Sequence, residues 1–262
     1  MGAILELQGV SMSFGGLKAV ADLSFEVREN EIVSIIGPNG SGKTTTFNVI
    51  SGLYEPDSGD ILLKGESVAG LRPDQVHDKG ISRTFQSLRL FSNMSVLENV
   101  LVGMHSVTDA GVVASMLRLP SVRREEAAMR AKAQEILAMF PGRFSGPRQQ
   151  QPAFSLSYAN RRRLEIARAL ASEPVLLLLD EPVAGMNPME SREVMEQIKI
   201  LRDKGFTILM IEHDMHVVEG VSDRVIAMDH GVKIAEGSYA DVANDPQVVE
   251  AYLGKRAAEA TA

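Results

Sequence analysis

The chain has 262 residues, 45% hydrophobic and 23% charged, enough for one large domain or one domain with an inserted lobe. Its net charge of −7 (27 Lys and Arg against 34 Asp and Glu) disfavours a bulk nucleic-acid binder, and the lack of cysteine excludes disulfides and thiolate metal sites. No stretch approaches the roughly 20 apolar residues of a spanning helix, so cytosolic exposure is expected, and MGAILELQGV reads as an edge strand, not a secretion signal.

In chain order, residues 4–10 and 20–27 (ILELQGV and VADLSFEV) read as β-strands, with SFGG supplying the turn between them. EIVSIIG is a short apolar run ending in glycine, and a helix is expected from Lys43 to Ile50. DSGDILLK (57–64) suggests a hairpin strand, and a short strand precedes Gln86. From Met94 to about Ala138 the pattern is helical, with VRREEAAMRAKAQEILAMF a good amphipathic helix. PGRFSGPRQQQP (141–152) is a loop by its Pro, Gly and Gln content. A helix containing LEIARALA then leads to the buried strand VLLLL (175–179). A helix at about 189–203, a strand at FTILMIE, a short helix after His213 and strands RVIAMD and VKIAEG complete the pattern. Strands alternating with helices on both sides of a glycine loop argue for an α/β fold around a mainly parallel sheet.

The sharpest chemical signal is GPNGSGKT, Gly37-Pro38-Asn39-Gly40-Ser41-Gly42-Lys43-Thr44, placed after a strand and opening a helix. Its glycines let backbone N–H groups wrap a phosphate, and the helix N-terminus adds partial positive charge. Lys43 would pair with the β- and γ-phosphates, the Thr44 hydroxyl would join a Mg²⁺ shell, and Thr45 adds a second hydroxyl. VLLLLDEP delivers Asp180 and Glu181 to the carboxyl end of a parallel strand, where ligands bind in open α/β sheets. Asp180 would hold Mg²⁺ through water, and Glu181 is placed to polarise water attacking a γ-phosphate. Three residues are ambiguous alone. Gln86 reads as a surface amide or a group reaching Mg²⁺ or water, and His213 as a strand-end histidine or a site residue. Phe14 reads as packing or as a platform for an adenine ring. LSYANRRRLEIARAL is itself open between a drifted phosphate-contacting loop and a basic amphipathic helix, with Arg161 to Arg163 expected mostly on a solvated face. The apolar stretch from Val112 to Leu119 is expected to pack on its own lobe.

The set GPNGSGKT, RTFQ, LSYANRRRLEIARAL, LLLLDEP, VAGMNP and IEHDM, in that order, resembles an ATP-binding-cassette (ABC) ATPase over nearly the whole chain, about Ile4 to Gly254. Within that family, RTFQSLRLFSNMSVLENVLVGMH, the long insertion, LSY, VAGMNP and EAYLG are similar to the ATP-binding subunits of branched-chain amino-acid importers. The resemblance implies a P-loop NTPase fold with an N-terminal antiparallel β subdomain and an inserted α-helical subdomain. One cassette would span 1–254, with core segments at about 1–88 and 166–240, the helical subdomain at about 89–165, and a tail at 255–262.

It also implies a dimer, homomeric or with a sister cassette, holding two ATPs between the phosphate loop of one subunit and the signature of the other. Phe14 becomes the adenine-stacking aromatic, Gly37 to Thr45 the phosphate cradle, Gln86 the reporter to a membrane partner near the helices around 87–100, and His213 the switch histidine. Ser157, Ala159 and Asn160 take the place of a signature usually written LSGGQ or LSYGQ, and Asn187 stands where many cassettes carry aspartate. Alanine adds a methyl group where backbone approaches phosphate and gives up glycine's positive φ, and Asn160 is a methylene shorter than glutamine, so the signature reads either as weakened or as tolerating Ala159 without consequence. Transmembrane permeases and, indirectly, a solute-binding protein are implied as partners, with the chain peripheral at the cytoplasmic face of the cell membrane. The alternatives are urea or amide import, lipid export, or a soluble non-transport cassette ATPase.

Overall fold

The first two strands run further than their alternating patterns suggest. In the computed structural model, which describes residues 2–104 and 120–253, β1 (Ala3–Phe14) and β2 (Leu17–Arg28) pair antiparallel. Phe14 faces Leu17 and Ser13 faces Lys18, so of SFGG only Gly15 and Gly16 make the turn. The N-terminal strand is interior, contrary to the edge position expected of it. It also pairs with β4 (Ser58–Leu63), which carries the short β5 (Glu66–Ser67), giving the order β2-β1-β4-β5. The second partner comes from some 50 residues away, beyond the reach of a local pattern, and it covers the buried Leu5 and Leu7.

The second sheet has the order β10-β9-β3-β8-β7-β6. Its strands β3 (Ile32–Ile36), β6 (Ile81–Arg83), β7 (Leu176–Asp180), β8 (Thr207–Ile211) and β9 (Arg224–Asp229) are parallel. β10 (Val232–Gly237) closes one edge antiparallel. Every residue of β3, β7 and β8 is buried, as continuous apolar runs covered on both faces require. Alternate side chains enter different cores. Leu177, Leu179, Ile208 and Met210 join a core with the helices α3 (Val96–Gly103), α4 (Pro120–Ala138), α5 (Tyr158–Leu170) and α6 (Pro188–Asp203). Leu176, Leu178, Leu209 and Ile211 join another with α1 (Lys43–Ile50) and the antiparallel sheet. Each such leucine contributes roughly 1.5–3 kcal/mol by leaving water. A smaller cluster joins Ile36 to Val218, Val242 and Val248 of the helices α7 (Met215–Val221), α8 (Tyr239–Ala243) and α9 (Pro246–Leu253).

The helical stretch expected from Met94 starts at Val96, where Ser95 and Glu98 form a reciprocal capping box. Residues 84–95 form no helix, so Gln86 is followed by a loop. Helix α2 (Pro73–Asp78), like α8 and α9, is too short to show a helical period in the sequence, and 141–152 contains a 3₁₀ turn at Gly146–Gln150. The stretch from Val112 to Leu119 and the tail 255–262 lie outside the described residues.

Candidate nucleotide site

Four neighbouring parallel strands, β3, β8, β7 and β6, end on one side of the sheet, and each delivers part of the site. From β3 the chain enters the glycine loop. Gly37 has φ 148°, and a β-carbon there would collide with the carbonyl oxygen of Met228; Gly42, at φ 101°, would collide with that of Ala19. The loop therefore packs tightly on β9 and β2 and hands the chain straight into α1. Lys43, 9% exposed, folds back over it, with Nζ donating to Gly37 O at 2.7 Å, Pro38 O at 2.9 Å and Ser41 Oγ at 3.3 Å. Burial pulls its ammonium below the usual lysine range, and Glu181 partly opposes that shift.

Strand β7 ends in Asp180, which is buried and paired with Arg83 of β6 at 3.0 Å. Arg83 also donates to Asn48 Oδ1 and Ser51 Oγ on the α1 side, and the Asp180 N–H donates to Thr84 Oγ1 at 3.3 Å. Asp180 thus ties α1, β6 and β7 together. Next in the chain, Glu181 leaves the ladder in a left-handed conformation, φ 48°. Its Oε2 accepts the Gln86 amide N–H at 3.0 Å, and its Oε1 lies 3.7 Å from His213 Nδ1, just beyond β8. Gln86, Glu181 and His213, which are far apart in sequence, are brought together.

A cleft of about 670 Å³ is lined by Phe14, Lys18, Asn39 to Thr45, Gln86 and Glu181, together with Leu17, Ala19 and His230. Phe14 is half-exposed at its rim, edge-on to Tyr54 with ring centroids 5.2 Å apart. Asp180 and His213 do not line this cleft, and neither do Ser157, Ala159 and Asn160. The signature residues open α5 instead. Ser157 is its N-cap, with its hydroxyl accepting the Asn160 N–H at 3.4 Å. Ala159 is a buried residue of the first helical turn and has no left-handed backbone, so this chain's own fold asks for no glycine there. Asn160 Oδ1 accepts from Arg163 at 2.9 Å. Asn187 caps α6, accepting the N–H groups of Met189 and Glu190.

The expected solvated arginine face is corrected: Arg162 and Arg163 are fully buried. Arg162 donates to the carbonyl oxygens of Phe85 and of Gln86 and pairs with Glu165 at 2.9 Å. Arg163 reaches Glu193 at 2.7 Å and Gln197 at 3.2 Å. Periodicity alone makes such arginines look solvated, because their partners come from other elements. Sequence reasoning also passed over Arg83, His230 and Glu212. A charge in the short strand before Gln86 and an acid closing the apolar FTILMIE were the available signals.

A phosphate loop after β3 and an acidic pair after β7, with β8 between them, define a P-loop nucleoside triphosphatase. The family model described as ABC transporter matches residues 20–184, and the one described as branched-chain amino acid ATP-binding cassette transporter matches residues 232–258. The chain belongs to the ABC transporter ATP-binding cassettes and is an ATPase subunit of a transporter. It is 44% identical over 253 residues to the high-affinity branched-chain amino acid transport ATP-binding protein LivG of Salmonella typhimurium, covering 96% of this chain and 98% of the relative. Among solved structures, the ADP conformation of an ATP-binding cassette of an ABC transporter superposes with TM-score 0.84 at 33% identity, covering 97% of this chain and all of that one. The dimeric structure of a bacterial ABC transporter cassette is similar with TM-score 0.74 at 26% identity, covering 90% of this chain and 98% of that one.

Proposed function

We propose that this chain hydrolyses ATP to power uptake of branched-chain or other hydrophobic amino acids through partner permeases. The observation that carries the chemistry is the convergence of Lys43, Gln86, Glu181 and His213 from separate elements onto one end of the sheet. The substrate class is supported by the match of residues 232–258 and by the likeness to LivG over nearly the full chain.

In this reading the amides of Gly37 to Thr45 cradle the phosphates and Lys43 pairs with the β- and γ-phosphoryl oxygens. Glu181 orients and polarises the water that attacks the γ-phosphorus in line, with Gln86 and His213 fixing its carboxylate from two sides. Phe14 offers its half-exposed ring to the adenine. Among the described residues no cluster of three or more His, Asp or Glu can hold a metal by itself. The Thr44 hydroxyl and Gln86 amide in the cleft and the neighbouring Asp180 carboxylate are all oxygen donors, which suits Mg²⁺ shared with substrate phosphates. Asp180, held by Arg83, would act through water. Bound Mg²⁺ would neutralise charge developing between the β- and γ-phosphates.

The signature opens a helix outside the cleft, which supports a role for Ser157, Ala159 and Asn160 at the ATP of a second cassette. Among the described residues no helix is long and apolar enough to cross a membrane, so permease subunits would supply the path, with this chain peripheral at the cytoplasmic face. A solute-binding protein would deliver the amino acid to them.

In the assembled transporter, Glu181→Gln is expected to trap an ATP-bound dimer without turnover. A variant complex that hydrolyses ATP at the parental rate defeats the catalytic assignment. Deleting the chain from its host should abolish uptake of labelled leucine, isoleucine and valine. Loss of urea or amide uptake alone would move the substrate class.

A further inference from the structure

Glu212 is a carboxylate that the chemistry above leaves unused. It directly follows β8, whose residues are TILMI, and it is fully buried. Its two oxygens serve two different loops. Oε1 accepts the Val183 N–H at 3.3 Å, in the turn that starts at Glu181, and Oε2 accepts the His213 N–H at 3.2 Å. The Asp214 N–H faces it as well. Burial pushes the Glu212 carboxyl above the usual range, and these N–H groups and His213 oppose that shift. Among the described residues, no lysine or arginine forms an ion pair with it.

A buried carboxylate without a cationic partner is costly, and a well-packed apolar side chain of similar size is commonly as stable or more so. Packing therefore gives no reason for glutamate here. Geometry does. The Glu181 N–H donates to Ile211 O at 3.0 Å, and the Ala184 N–H returns to Glu181 O at 3.2 Å. The turn is thus fixed by the strand ladder at its start and by Glu212 at Val183. The same carboxylate fixes the loop carrying His213, and the side chains that these two loops present, Glu181 and His213, stand 3.7 Å apart.

We propose that Glu212 is a positioning residue for hydrolysis: its carboxylate clamps the Glu181 turn to the His213 loop and sets the spacing of those two side chains. The proposal rests on the reading that Glu181 and His213 serve the attack of water.

The test uses the full chain in its transporter complex. Glu212→Gln keeps the size but turns one acceptor oxygen into an NH₂ group, so one of the two backbone N–H groups meets a donor. A displacement of this kind is expected to lower kcat by about 10- to 100-fold. The phosphate loop is untouched, so the KM for ATP and the affinity for ATP should stay within about threefold of the parent. Glu212→Asp keeps the charge but is too short to reach both amides, and it should be similarly slow. Parental kcat in either variant overturns the proposal. Loss of ATP affinity or of the folded state along with turnover makes Glu212 a scaffold residue only, and overturns it too. Glu181→Gln in parallel separates the two readings. If that variant turns over normally, the assignment of Glu181 has failed. If it is inactive while Glu212→Gln is parental, only the clamp has failed.

Discussion

Lys43 binds three oxygens of its own loop, so its ammonium is held over the loop proposed above to receive the phosphates. Hydrogen bonds to a charged group are worth about 1.5–3 kcal/mol, so Lys43→Ala should weaken ATP binding by roughly 10- to 100-fold. A nucleotide titration giving parental affinity would show that Lys43 is no phosphate ligand. Arg83 has a different kind of importance. It is the partner of a buried carboxylate, with both side chains 6% exposed, and it lies near the rings of Phe47 and Phe85. Removing one member of such a pair leaves an uncompensated charge, so Arg83→Met should cost about 3–5 kcal/mol in denaturant unfolding. A loss under about 1 kcal/mol would place the pair with weak surface ion pairs instead.

At the scale of elements, α5 joins the signature to the rest of the molecule. Its N-cap is Ser157, and its buried Arg162 holds the carbonyl oxygens of Phe85 and Gln86, so the signature helix and the Gln86 loop are fastened to each other. Ser157→Ala should cost about 1 kcal/mol through loss of the cap, measurable as a lowered denaturation midpoint. Ala159 favours the helix by about 0.5–1 kcal/mol over glycine. The departure from a glycine signature therefore stabilises this chain, and the added methyl group is buried within its own fold. Ala159→Gly with Asn160→Gln is expected to lower stability slightly and raise the ATPase rate of the assembled transporter. An unchanged rate would mean the signature is not weakened.

Across the whole molecule, the C-terminal segment is part of the nucleotide domain's core. Val248 of α9 packs with Ile36, the last strand residue before the phosphate loop. Val248→Ala should cost about 2 kcal/mol and lower Tm by roughly 4–8 °C. An unchanged thermal scan would show that α9 is not coupled to the core. The C-terminal match to the branched-chain amino acid cassette family covers this helix, so that segment also serves to secure β3.

The strand-loop-helix around Lys43 and the apolar run ending in Asp180 and Glu181 were legible in the sequence because their signals are local. A fully buried strand needs a continuous apolar run, and a tight phosphate loop needs glycine at fixed spacing. The core strands followed from the same logic, and their order of motifs carried the family resemblance. Tertiary structure decided what depends on partners distant in the chain. It made the N-terminal strand interior by bringing β4 against it, and it buried Arg162 and Arg163 against carbonyl and carboxylate groups of other segments. It placed Arg83 on Asp180, and Glu212 between the Glu181 turn and the His213 loop. A charged residue has the same local pattern whether it faces water or a buried partner. Only the three-dimensional arrangement supplies the partner, and burial without one is too costly to persist.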